Sequence, residues 1–298
     1  MEFTCFIVGS GTLPIQCAEI LMGRGHVIGG VLSSDPSFLR WAGERGLACS
    51  DPHHDLLPFL GRQPFDYLFS DVNEHLLPTE VLEIPKKAAI NYHDGPLPRY
   101  GGIHATSWAI INREVTHGVS WHLMTKTADA GAVLKRASVE ITDGETAVTL
   151  NAKCYEAAVS SFTDLVQDLE IDRVSAEQQD LEDRTFFGRF KRPEAACAIR
   201  WDQDAEAIGA LVRGLDFGPY PNPMGRPKIL VRGEFVLVQG LRLTGAKSQA
   251  PPGTITAIEP MALSVSTADQ DVELSGLQSV DGGDLPIGEF VQKYDLST

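Results

Sequence analysis

The first 170 residues alternate short, continuously apolar runs with helical segments, and this alternation leaves few folds open. Runs at 3–8 (FTCFIV), 26–32 (HVIGGVL), 66–70 (DYLFS) and 88–91 (AAIN) read as strands. Residues 15–25, 38–45, 78–82 and 105–112, lying between or after them, read as helices. Strands without polar alternation are buried on both faces, which predicts an α/β domain with a mostly parallel sheet between helical layers. Runs at 119–124 (VSWHLM) and 133–139 have few residues between them, so this edge of the sheet is expected to be antiparallel or mixed. A long helix is predicted over 146–169, its apolar stripe formed by Val148, Ala152, Tyr155, Val159, Phe162, Leu165 and Val166.

The texture changes near residue 170. Residues 171–200 are polar and charge-rich and read as a linker. Residues 202–215 form an amphipathic helix with Ala205, Ile208, Leu211, Val212 and Leu215 on one face. The short β runs that follow, broken by Gly and Pro, suggest a small barrel. The expected organisation is a catalytic domain over 1–170, a linker over 171–200 and a barrel domain over 201–298. The closing stretch VQKYDLST reads as a polar tail.

The 298 residues carry a net charge of −15. That balance repels a polyanion, so no nucleic-acid partner is expected. The five cysteines form no CxxC pair, which argues against a structural zinc site or a disulfide framework and fits a reducing cytoplasm. The chain opens directly on a strand-like run, with no signal segment or membrane span expected.

Gly9-Ser10-Gly11 after the first strand would begin a dinucleotide fingerprint, but Pro14 stands where its last glycine belongs. A tight strand-to-helix turn is the simpler reading. Asn91 and His93 stand at the carboxyl end of a mid-chain strand, where open α/β sheets bind ligands. Their spacing puts both on one face. An amide can donate to a developing oxyanion, and an imidazole carries protons near neutral pH. Pro96 and Pro98 restrict the turn that follows. Asp129, in the turn after the VSWHLM run, can reach His93 if the two strands are neighbours, and would then orient it. His122 alternates with Trp121 and Leu123 and reads as a core histidine or one that supports the site from behind; His53 and His54 read as an exposed loop, and His104 lies at a helix start, where it either lines the cleft or caps the helix. No metal site is expected.

The stretch INYHDGPLPRYGGIHATSWAIINREVTHGVSWHLMTKTADAGAVL resembles the core of the formyltransferase family that uses N10-formyltetrahydrofolate. The matching positions are Asn91, His93, Leu97, Pro98, Tyr100, Trp108, Ala109, Gly118, Val119, His122, Asp129 and Gly131. The resemblance implies a Rossmann-like formyltransferase N-terminal domain and a small C-terminal, OB-like barrel. It also implies N10-formyltetrahydrofolate as formyl donor and a catalytic set of Asn91, His93 and Asp129. Cofactor contacts are implied from Leu76, Leu77, Leu97 and Gly131. The family includes members acting on methionyl-tRNA, which commonly carry Arg where this chain has Gly101. Residues 199–298 hold eight Lys and Arg against thirteen Asp and Glu, which disfavours tRNA. The segments HDGPLPRYGGIHATSWAI and LDFGPYPNPMGRPKI are most similar to formyltransferase domains that begin nonribosomal peptide and hybrid polyketide synthetases. The acceptor that this implies is an amine on a carrier protein, with synthetase modules downstream. Methionyl-tRNA, sugar-nucleotide amines, or water in a hydrolase, are the alternatives.

Overall fold

The computed structural model describes residues 1–54, 56–73 and 75–296. The chain divides into two compact units. One comprises residues 1–105, 116–140 and 151–187; the other comprises 106–115, 141–150 and 188–298. The elements are, in order, β1 (Thr4–Gly9), α1 (Leu13–Gly23), β2 (Val27–Leu32), α2 (Pro36–Glu44), β3 (Cys49–Ser50), α3 (Leu57–Leu60), β4 (Tyr67–Asp71), α4 (Thr79–Leu82), β5 (Ala88–His93), β6 (Gly101–Gly102), α5 (Ala105–Ile111), β7 (Thr116–Leu123), β8 (Val133–Glu140), α6 (Ala147–Glu170), β9 (Phe186–Phe187), α7 (Ala205–Gly214), β10 (Lys228–Val231), β11 (Glu234–Lys247), β12 (Ile255–Ile258), β13 (Leu263–Ser266), β14 (Gln270–Gln278) and α8 (Ile287–Tyr294).

The first unit is built on a seven-stranded sheet of order β3-β2-β1-β4-β5-β7-β8. Pairings from β3 through β5 are parallel. The two at the other edge are antiparallel, which for β7 and β8 follows from the short connection between them. On one face, Cys5, Ile7, Phe69, Ile90 and Trp121 pack with Leu13, Cys17 and Leu21 of α1, Phe38 and Trp41 of α2, and Phe162, Leu165 and Val166 of α6. On the other, Phe6, Val8, Leu68 and Ala89 pack with Phe59, Leu60 and Val81. Alternation along β5 then decides where its polar residues go. Ile90 and Tyr92 belong to the first face, so Asn91 and His93 emerge on the second, beyond Ala89.

The stripe of α6 differs from its expected course at the start. Cys154 and Ala158 are buried there, while Ala152 is exposed. Small side chains at the contact let the helix lie close to the sheet, so volume as well as hydropathy sets the face. The turn after β1 is explained by backbone approach. A Cβ on Gly9 would stand 2.0 Å from the Asp71 carbonyl oxygen, and Gly11 holds a φ of 77°. Pro14 occupies the first turn of α1, where a missing N–H costs nothing.

The second unit contains an antiparallel sheet of order β10-β11-β14-β13-β12, an open half-barrel. Its core joins Val236, Val238, Val272 and Leu274 to Ala205, Ile208 and Val212 of α7. The Asp204 side chain caps α7 by accepting from the Ala207 N–H at 2.7 Å. Residues up to Tyr294, expected as a polar tail, instead form α8, whose Ile287, Phe290 and Tyr294 complete that core. Their i, i+3, i+7 spacing is the signal that marks the helix. The segment expected as a linker divides at Phe187. Residues up to there belong to the first unit, and those from Gly188 to the second.

Asp71, at the end of β4, is fully buried, and neither carboxyl oxygen meets an N–H or hydroxyl donor. Burial pushes its pKa up to about 7, with the neighbouring Cys17 thiol pulling weakly the other way. An acid raised by folding favours the fold below the unfolded-chain value of 3.8, and that advantage is lost as pH rises to about 7. Asp71→Asn is therefore expected to gain stability on the wild type by roughly 4 kcal/mol between pH 4 and pH 8. Denaturant midpoints measured across that range check it. An equal offset at both ends would show that folding leaves the Asp71 pKa at its unfolded-chain value.

Candidate active site

The antiparallel pairing of β7 on β5 sets His122 opposite Asn91 and Ser120 opposite His93. Cross-strand partners share a face, so all four side chains stand on one patch of the sheet. The loop after β5 is fastened to the same patch. The Ser120 hydroxyl donates to the Gly95 carbonyl at 2.8 Å and accepts from the Leu97 N–H at 3.2 Å. His117 Nε2 lies 2.7 Å from the Asp94 carbonyl oxygen. Gly95 is required because a Cβ there would meet His93 Nε2 at 2.7 Å and the Tyr100 carbonyl at 2.9 Å.

His93 is buried, and its Nε2 lies 2.7 Å from the Tyr100 carbonyl oxygen. A carbonyl only accepts, so Nε2 carries hydrogen and Nδ1 is left facing the carboxylates. Asp129 Oδ1 is 4.0 Å from that Nδ1, and Asp94 Oδ1 is 3.9 Å from it. The second Asp129 oxygen accepts the Gly102 N–H at 2.8 Å. The sequence expectation that Asp129 reaches His93 thus has a geometric basis in the β5–β7 pairing.

His122 is buried, as expected, and faces the same carboxylate. Its Nδ1 donates to the Leu123 carbonyl at 2.9 Å. Its Nε2 lies 3.2 Å from Asn91 Nδ2 and 3.6 Å from Asp129 Oδ1. When neutral, that nitrogen accepts from Asn91; when protonated, it can donate to Asp129. The Asn91 amide also donates to the Tyr92 carbonyl at 2.7 Å, so with His122 neutral both its hydrogens have protein partners. The signal for His122 was available in the sequence as the strand partner of Asn91, but only once the register is known.

Burial pushes the Asp129 carboxyl upward. His122, the positive charge available at His93 and the Gly102 N–H outweigh it and bring it down to about 2. Among the remaining expected contacts, Gly131 is needed for backbone approach: a Cβ would stand 1.8 Å from the Leu123 carbonyl. Leu97 is buried under the loop, 2% exposed. Leu76 and Leu77 line a separate cavity of about 670 Å³, together with His53, His54, His75 and Val81. None of Asn91, His93 or Asp129 lines it. Among the described residues, no three His, Cys, Asp or Glu side chains are grouped to hold a metal ion.

The family described as formyl transferase matches residues 72–166, and the formyl transferase C-terminal domain matches residues 193–295. Together the two matches span two thirds of the chain. The chain belongs to the formyl transferase family. Solved structures agree on the fold. HypX from Aquifex aeolicus, in complex with tetrahydrofolic acid, superposes with a TM-score of 0.66 at 17% identity over 99% of this chain. The chain spans about half of that protein, 48% of its length. An N-formyltransferase from Helicobacter canadensis, in complex with folinic acid and dTDP-3-aminofucose, superposes at 0.74 and 16% identity, covering 92% of this chain and 99% of that one. A 4-N formyltransferase from Francisella tularensis gives 0.65 at 20%, covering 79% and 96%. No described helix of this formyl transferase is long and apolar enough to cross a membrane.

A carboxyl held at about 2 in the fold contributes stability above the unfolded value of 3.8 and loses it as pH falls toward 2. The stability difference between wild type and Asp129→Asn is expected to shrink by about 2 kcal/mol between pH 5 and pH 2. Denaturant titration of both proteins at each pH reads this, and a constant difference would contradict the ionised, partnered state of Asp129.

Proposed function

We propose that the chain transfers the formyl group of N10-formyltetrahydrofolate to an amine. The observation that carries this reading is the convergence of Asn91, His93 and Asp129, with His122, on one patch at the carboxyl end of β5. Bound folate would supply an activated formyl carbon and a nitrogen leaving group. The cavity bordered by Leu76 and Leu77 has the size for a ring system of this kind, and its lining mixes apolar side chains with the imidazoles of His53, His54 and His75. Leu97 and Gly131 are proposed to shape the loops that flank the folate.

His93, protonated at Nδ1, stabilises the charge that develops on the formyl oxygen. Asp129 holds that proton in place and takes the one released by the attacking amine. A proton passed from Asp129 to His122 Nε2 ends its acceptance from Asn91. One Asn91 hydrogen is thereby freed for the oxyanion, when the negative charge appears. Return of the proton to the folate nitrogen completes the transfer with no net gain or loss.

The acceptor is proposed to be an aminoacyl or related amine on a carrier protein of a nonribosomal peptide or polyketide assembly line. The support is the likeness of HDGPLPRYGGIHATSWAI and LDFGPYPNPMGRPKI to synthetase-borne domains. A sugar-nucleotide amine is the second reading. It is favoured by structures of sugar N-formyltransferases that match nearly end to end, such as the one crystallised with dTDP-3-aminofucose. Tetrahydrofolate release measured with aminoacyl carrier proteins, with a dTDP-amino sugar and with neither separates these acceptors and the hydrolase. Asn91→Ala, His93→Ala and Asp129→Asn are each expected to lower the rate by about a hundredfold or more. Undiminished turnover in all three would remove these residues from the chemistry.

A further inference from the structure

The stretch after α6, read from sequence as a linker, lies across both loops of the candidate site. Glu177 and Val133 exchange backbone hydrogen bonds of 2.8 Å in each direction. Two residues on, Gln179 Nε2 donates to the carbonyls of Asp129 at 3.0 Å and Gly131 at 2.6 Å. Arg184 Nη2 donates to the Ala128 carbonyl at 2.9 Å. The chain then crosses to the other loop. The Thr185 hydroxyl accepts the Tyr100 N–H at 2.8 Å, and its carbonyl accepts the Gly101 N–H at 3.0 Å. β9 pairs with β6, and the Phe187 ring stacks on Tyr100. One strap therefore grips the Ala128–Gly131 turn and the Tyr100–Gly102 loop, whose mutual contact is the Asp129 carboxylate on the Gly102 N–H.

Two features show that this grip is not the arrangement that stability alone would choose. Asp129 holds a φ of 54°, a left-handed conformation unfavourable for a residue with a Cβ. Gln179 and Arg184 also each leave one buried polar atom, Oε1 and Nε, without a partner. Such atoms cost stability, and an apolar filler would avoid that cost. What the two side chains achieve is to fix three successive parts of one turn: Ala128, Asp129 and Gly131.

We infer that Gln179, assisted by Arg184, is a positioning residue for Asp129. It fixes the turn so that one carboxylate oxygen faces His93 and His122 while the other holds Gly102. The inference rests on the proposed role of Asp129 in formyl transfer, but its geometry can be tested separately. The loss of Gln179 should let the carboxylate drift, weaken its bond to Gly102 and slow chemistry without altering folate affinity.

The test is amide hydrogen exchange by NMR on the full chain, for wild type, Gln179→Met, Gln179→Glu, Arg184→Met and Asp129→Ala. Exchange at Gly102 is expected to rise about tenfold in the Gln179 variants, approaching Asp129→Ala, and less in Arg184→Met, with the core amides of Ile90 and Val119 unchanged. The accompanying kinetic signature is a fall in kcat of about tenfold at constant KM for N10-formyltetrahydrofolate. Unchanged Gly102 exchange in both Gln179 variants, with loss in Asp129→Ala, would overturn the inference. So would a loss of protection spread evenly over β5 and β7, which would make Gln179 a support of the fold only. Full activity in Asp129→Ala would overturn the formyl-transfer role of Asp129, while the exchange data would still decide whether Gln179 holds the turn.

Discussion

The register of β7 against β5 is the constraint on which the site depends. A shift by one residue would turn His122 and Ser120 to the opposite face of the sheet and put Trp121 and Val119 in their place. Trp121 and Val119 are fully buried, and Trp121 packs at 4.8 Å against Phe162 of α6, so apolar burial on one face fixes the polar constellation on the other. Asn91, His93, Ser120 and His122 are aligned by packing energy that none of them supplies. The Trp121 indole N–H also donates to the Ser161 hydroxyl at 3.0 Å, which adds a directional bond to the same register.

Two aspartates at strand or loop ends illustrate how environment separates chemically identical groups. Asp71 is fully buried with only the weakly donating Cys17 thiol set against its desolvation, so its neutral form is favoured up to about pH 7. Asp129 is also largely buried, yet it has a backbone N–H and two imidazoles around it and stays ionised down to about 2. Desolvation acts the same way on both, and the partners decide the difference. The ionised one is beside His93 and His122. A carboxylate available at neutral pH can hold and exchange a proton there.

Much of this was legible in the sequence, and the parts that were not share a cause. Continuous apolar strands gave the parallel sheet, and close spacing of 119–124 and 133–139 gave the antiparallel edge. Asn91 and His93 were readable from their spacing at a strand end, and Asp129 from its place after the next strand. The contact of His122 with Asn91 is not readable because its chain neighbours are apolar and its partner lies 31 residues away, a contact visible only through register. The strap at 177–187 has the polar, charge-rich composition of a linker. Its order comes from hydrogen bonds to backbone carbonyls and from one short strand pair, which leave no periodicity to detect. α8 was missed because Ile287, Phe290 and Tyr294 are spread over eight residues among polar ones.

The most direct test of the account is a crystal structure of this chain with folinic acid, a formyl-bearing folate that mimics the donor. The formyl carbon is expected within about 4 Å of His93 Nδ1 and its oxygen within hydrogen-bond reach of His93 or Asn91. The Asp129 carboxylate is expected to remain on Gly102 and Gln179 on the Asp129 carbonyl. A folate bound with its formyl group remote from His93 and Asn91, in a protein active in formyl transfer, would contradict it.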